Sequence, residues 1–242
     1  MPHAAPRSFQ TPGASDLGLR RIDNHAGLSI GVLPNACVFA IEHRHERGRT
    51  MINQVQGSAL DGGIARLFVR ISGSEPDVAE AVGPGAKVEV GVGDDRFTWE
   101  GARGGVRHRV ALWLHPRHNL WLWRLEVANT GKVQVTCDAI LVQDLGLGER
   151  GFLMNNEAYA SQYIDHHIAW HPRCGPVLMS RQNLAQRGRH PWVAHGCLEG
   201  AASFATDAMQ LFGPAYRDAS MIRFEAGSGL PGERLQHEVA CA

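Results

Sequence analysis

The sequence predicts an all-β protein of antiparallel strands, arranged as two sheets packed face to face. Three observations predict it. Apolar residues recur at every second position, as in Val88, Val90 and Val92, in Val110, Leu112 and Leu114, and in Trp121, Trp123, Leu125 and Val127. That is the period of a half-buried strand. The runs are short and are cut by turn residues, of which the 242-residue chain has 28 glycines and 12 prolines. No apolar stripe of helical period runs for any length, and only residues 201–212 read as a helix.

Residues 1–18 are Pro, Ala, Gly and Ser with little to bury, and read as a flexible tail. A sandwich domain over 19–225 and the start of a linker over 226–242 complete the expected organisation. Strands at 28–33 and 38–41 flank the turn Pro34-Asn35-Ala36. Next, Leu67, Val69 and Ile71 share one face of a strand and leave Arg66 and Arg70 on the other. Residues 72–86, with two prolines and three glycines, read as a loop. The valine strand, a segment at 97–99 and the strand through Val110 follow. The Trp121–Val127 alternation and the one through Val133, Val135, Cys137, Ala139 and Leu141 flank Asn129-Thr130-Gly131. This pattern predicts a hairpin, with the tryptophans in the core or serving as a sugar platform. A second hairpin is expected from 164–170 and 177–180 around 171–175.

Composition excludes several classes of function. The 24 basic and 24 acidic residues balance, which argues against nucleic acid or an anionic membrane as partner, since both demand a basic excess. No stretch has the length or apolarity of a membrane helix or a secretory leader. The five cysteines (Cys37, Cys137, Cys174, Cys197 and Cys241) are widely spaced and contain no CxxC pair. They suggest neither a zinc site nor a disulfide framework, so a cytoplasmic location is expected.

Residues 143–183 are the chemically richest stretch. Asn155, Asn156, Gln162, Gln182 and Asn183 carry amides, Tyr159, Tyr163, Ser161 and Ser180 hydroxyls, and Glu157, Asp165 and Arg181 charges. Amides and hydroxyls beside aromatic rings suit a neutral polyhydroxylated ligand, because each sugar hydroxyl both donates and accepts and a pyranose has an apolar face. A long solvated loop followed by a hairpin is the other reading of the same residues.

Other patterns carry less. Gly146-Leu147-Gly148-Glu149-Arg150-Gly151 fits GxGxxG, but no βαβ alternation surrounds it, so a dinucleotide site is not expected. His43 and His45 share a strand face and His166 and His167 lie on opposite faces. Neither pair comes with a third ligand at metal spacing, so neither a metal nor another cofactor is expected. Asp144, Glu157, Asp165 and Asp207 are the carboxylates to consider for glycoside chemistry. Holding loops by hydrogen bonds is the commoner use of such residues.

The run QDLGLGERGFLMNNEAYASQYIDHHIAWHPRCGPVLMSRQN, then HPW at 190–192 and FATDAMQLFG at 204–213, resembles the N-terminal β-domain of glycoside hydrolase family 94. The nearer branch is that of the 1,2-β-oligoglucan phosphorylases and cyclic β-1,2-glucan synthases. The resemblance covers roughly residues 20–225. It implies a β-super-sandwich of galactose-mutarotase type, which in that family precedes an (α/α)6 barrel carrying the general acid and phosphate site. By it, Asn155, Asn156, Glu157, Tyr159, Gln162, Asp165, Arg181, Gln182 and Asn183 face sugar or barrel. The implied partners are the catalytic barrel and, weakly, a β-glucan oligosaccharide, and a homodimer is compatible with this reading. The 242 residues end before any barrel sequence begins, so this chain alone is expected to be a non-catalytic, carbohydrate-facing domain. Two alternatives stay open: a free-standing mutarotase-like enzyme using a His/Glu pair, and a structural sandwich without ligand.

Overall fold

The structure, a computed structural model, describes residues 18–58, 64–213, 222–227, 229, 230 and 232. The expected tail at 1–18 and linker start at 226–242 therefore lie almost wholly outside the described residues. The fold is an all-β antiparallel sandwich whose layers comprise four hydrogen-bonded sheets. Sheet 1 contains β1 (Arg20–Asp23), β2 (Leu28–Val32), β3 (Val38–His45) and β4 (Gly48–Met51), in that order. Sheet 2 orders β11 (Thr136–Gln143), β5 (Ala65–Ser72) and β6 (Asp77–Val82). Sheet 3 orders β10 (Trp121–Asn129), β9 (Val106–Leu114), β8 (Arg96–Arg103) and β7 (Glu89–Val92). Sheet 4 orders β12 (Ile164–His171), β13 (Gly175–Gln182) and β14 (Trp192–His195). Three short helices, α1 (Arg150–Asn155), α2 (Glu157–Ala160) and α3 (Met209–Phe212), lie in the connections.

One apolar cluster draws on all four sheets, with Ile30 and Ile41 from sheet 1, Leu67 and Val69 from sheet 2, Trp99 and Val110 from sheet 3, and Ile164 and Val193 from sheet 4. Trp99 is its largest member; its indole Nε1–H donates to the Ala36 carbonyl at 3.0 Å. That bond satisfies the polar end of a wholly buried ring and ties sheet 3 to the β2–β3 turn. Trp123 packs on Trp99 with ring centroids 5.7 Å apart. The tryptophans of β10 therefore face the core, as the first of their two readings has it.

Three expectations are corrected. Residues 72–86 are not all loop: β6 pairs with β5, and five of its six residues are buried. The strand is hidden in sequence by the acidic Glu80. Its carboxylate takes a 2.6 Å hydrogen bond from Arg66 Nε, both side chains are buried, and the guanidinium lies 4.7 Å from the Phe68 ring centre and 5.5 Å from that of Phe212. The face that Arg66 and Arg70 share is thus not solvated. Phe212, Ile222 and Phe224 cover it, and Arg70 Nη1 donates to the carbonyls of Phe224 and Ala226.

The second correction concerns the Trp121–Leu141 hairpin. β10 pairs with β9 and β11 with β5, so the two alternations belong to different sheets. The chain turns a corner between them, where the Thr130 and Gly131 amides both donate to the Gly105 carbonyl and Asn129 Oδ1 accepts from the Gly131 amide. The corner residues bind the β8–β9 turn and not each other's strands, so no two-stranded register starts there. Third, the helix expected over 201–212 is confined to the four residues of α3. The hairpin of β12 and β13 forms as expected, with His171 opposite Gly175.

Candidate functional site

Sheet 4 brings the predicted residues together, and strand alternation decides which of them meet. Ile164, His166, Ser180, Gln182 and Val193 turn inward and are buried. The intervening residues form the outward face, where register sets Asp165, Arg181 and Trp192 side by side across β12, β13 and β14. Adjacent strands are about 4.8 Å apart, so the row spans about 10 Å. Trp192 is 67% exposed and Arg181 is exposed as well. Arg181 Nε and Nη2 both donate to Asn183 Oδ1, at 3.3 and 3.0 Å. Asn183 is itself held by its amide donating to the Tyr163 carbonyl at 2.8 Å. The Trp192 strand is fixed to β13 by the Gln182 amide donating to the Pro191 carbonyl at 2.9 Å.

The remaining predicted residues divide among other tasks. Gln182 is fully buried; its Nε2 donates to the carbonyls of Gly146 and Ala160 at 3.0 and 3.1 Å, and its Oε1 accepts from the Leu184 amide. It fastens sheet 4 to the preceding connection and faces away from the row. Asn156 caps α1, donating from Nδ2 to the Phe152 carbonyl at 2.9 Å. Asn155, Tyr159 and Gln162 are exposed on α1, α2 and the 3-10 turn of Ser161–Tyr163. Glu157 opens α2, and its side chain lies outside the described residues. Two further carboxylates are structural: Asp144 accepts from the Gln54 and Val55 amides, and Asp207 from the Met209 amide at the start of α3.

The GxGxxG segment serves backbone packing. The Gly146 amide donates to the Ile52 carbonyl, and Met51 and Gly148 exchange both backbone hydrogen bonds. A Cβ on Gly146 would sit 2.6 Å from the Cα of Gln54, so only glycine allows this approach. Among the histidines, His43 and His45 have ring centres 5.6 Å apart and bond to the Ala26 carbonyl and the Thr50 hydroxyl. Among the described residues no three His, Cys, Asp or Glu gather as a metal would require.

The inward face of sheet 4 is polar in an unusual way. His166 Nδ1 and Ser180 Oγ are hydrogen-bonded at 2.9 Å, both buried. His195 lies edge-on to Trp121 with ring centres 6.0 Å apart, and neither of its ring nitrogens has a hydrogen-bond partner. Burial, reinforced by the nearby His166, pushes its pKa down to about 4. An imidazole so placed is neutral at pH 7 and faces the interior, so it is no general acid for an outward ligand.

Trp192 escaped the sequence reading. It was visible only as part of HPW, in a strand of four residues, too short to show alternation. The pairing of β14 with β13 is what sets its indole beside Arg181.

A four-sheet antiparallel sandwich with a mixed aromatic and hydrogen-bonding outward face defines an all-β sandwich domain. The chain belongs to the SOGP N-terminal domain family, which matches residues 31–242. It is similar to the 1,2-beta-oligoglucan phosphorylase of Listeria innocua serovar 6a, at 31% identity over 191 residues. That alignment covers 78% of this chain and 17% of the relative, so the chain spans less than a fifth of the relative's length.

Proposed function

We propose that this chain is a non-catalytic, carbohydrate-facing domain of a glycoside phosphorylase acting on β-glucooligosaccharides, β-1,2-linked ones foremost. The observation that carries the reading is the family membership over residues 31–242, joined to a similarity confined to 17% of a phosphorylase. The outward face of sheet 4 supports the sugar-facing part, because Asp165, Arg181 and Asn183 present acceptors and a fixed guanidinium together. The inferred protein partner is the catalytic part of such a phosphorylase, and the inferred location is the cytoplasm. No helix among the described residues is long and apolar enough to cross a membrane. On sheet 4, His166 and His195 both point into the core, so neither supplies a mutarotase-like acid on its outward face.

Phosphorolysis needs an acid aimed at the glycosidic oxygen and a phosphate held in line behind the sugar. The face described here offers one guanidinium, already shared with Asn183. The 242-residue chain alone is therefore expected to form no glucose 1-phosphate from β-1,2- or β-1,4-linked glucooligosaccharides in excess phosphate. Steady turnover would overturn the reading and make Glu157 and Asp165 the first residues to substitute. Oligosaccharide binding is expected in the high micromolar to millimolar range, roughly −4 to −6 kcal/mol, because water competes for exposed hydrogen bonds.

A further inference from the structure

We propose that Trp192 is the stacking platform of a carbohydrate subsite on the outward face of sheet 4, with the Arg181–Asn183 pair as its hydrogen-bonding arm. The inference rests on the carbohydrate-facing reading above and assigns it a place and an anchor. Three observations carry it. Trp192 presents 67% of its surface on β14, whose next residue, Val193, is buried in the core cluster. An indole ordinarily buries that area, and a large exposed aromatic beside polar groups marks a binding face. Next, Arg181 is the direct cross-strand neighbour of Trp192. Its guanidinium is pre-oriented because Nε and Nη2 both bond Asn183 Oδ1, which leaves Nη1 for a ligand hydroxyl and lowers the entropy lost on binding.

Third, the face differs from the charged face of sheet 3. On sheet 3, Arg109 pairs with Glu100 at 3.1 Å and Arg124 with Glu126 at 2.8 Å, so the charges satisfy one another. On sheet 4, Arg181 makes no ion pair among the described residues, and its row ends in an aromatic ring. A neutral ligand with an apolar face and a rim of hydroxyls matches that order. A pyranose over the indole with its hydroxyls toward Arg181 fills it, and the row of about 10 Å has the reach for a neighbouring sugar toward Asp165. The face is too mixed for a dry protein interface, in which the core is apolar and charged residues are depleted.

The test is an NMR titration of the 242-residue chain with a β-1,2-linked glucotriose, alongside Trp192→Ala, Trp192→Phe, Arg181→Ala and, as a control, Trp170→Ala. Trp170 is 73% exposed at the hairpin end of β12, away from the row. Trp192→Ala should weaken binding by about tenfold or more, as loss of an aromatic anchor does. Trp192→Phe should retain part of the affinity, Arg181→Ala should weaken it, and Trp170→Ala should leave it unchanged, all with unchanged circular dichroism. Undiminished binding by Trp192→Ala would overturn this inference alone and leave the carbohydrate-facing reading standing. Absence of binding by the unaltered chain would overturn both. If Trp192→Ala instead abolished self-association of the chain and left sugar binding intact, the face would be a protein interface and the inference wrong.

Discussion

His195 shows how one side chain records its surroundings. Its ring nitrogens are buried without partners against Trp121 and near His166, and its pKa falls from the ordinary 6.5 to about 4. Between those values the unfolded chain takes up a proton that the folded chain does not. Stability from this group is therefore complete above pH 6.5, is lost as pH falls toward 4, and levels off below that. The whole effect is about 3 kcal/mol. His108, lowered by burial in sheet 3, titrates in the same sense. The expected outcome is that His195→Phe flattens much of the pH dependence of urea midpoints between pH 4 and 6.5. A slope unchanged by the substitution would contradict this account. A backbone case sits at Gly83, whose φ is +138° and whose Cβ would lie 2.0 Å from Glu80 Oε1. Gly83→Ala should destabilise by about 1–3 kcal/mol in chemical denaturation.

At the scale of elements, β6 is held by an ion pair where the sequence suggested a loop. Burial raises the Glu80 pKa, and Arg66 opposes that rise through hydrogen bond and charge. Removing one partner strands the other in the interior. Glu80→Ala is expected to lose about 3–5 kcal/mol, whereas the pair Arg66→Met with Glu80→Leu should recover most of it. Thermal melts of the three proteins decide this; a double variant no better than Glu80→Ala would show that the pair is more than a buried charge and its complement. The same logic applies to sheet 4. Its inward residues are spent on packing and on Gln182's two carbonyls, whereas Arg181 and Trp192 stand on the opposite, outward side.

At the scale of the molecule, one core cluster joins all four sheets, and Leu211, Phe212, Ile222, Phe224 and Ala226 supply cover for sheet 2. Every sheet contributes to that shared cluster, so each loses its main apolar contacts once the others leave. Urea unfolding is thus expected to be one transition, with tryptophan fluorescence and far-ultraviolet circular dichroism superimposed. Separate midpoints for the two probes would mean that sheets unfold as independent units.

The period-two alternation was sufficient, without tertiary information, for the all-β class, for the strands from Leu67, Val110 and Trp121, and for the β12–β13 hairpin. Alternation survives translation into structure because each strand has one face in the common core. It could not say which strands pair, since that depends on partners distant in sequence: β11 joins β5 across 64 or more residues and not β10 across a short corner. It also could not expose β6, because a glutamate reads as polar until the arginine that buries it is known. The polar stretch of 143–183 was legible as chemistry, but its residues parted company on folding. Adjacent Arg181 and Gln182 face opposite sides of one strand, so Arg181 joins Asp165 and Asn183 outside while Gln182 goes to the core. Trp192 entered the outward row only through the pairing of β14 with β13, a contact between strands that no local pattern announces.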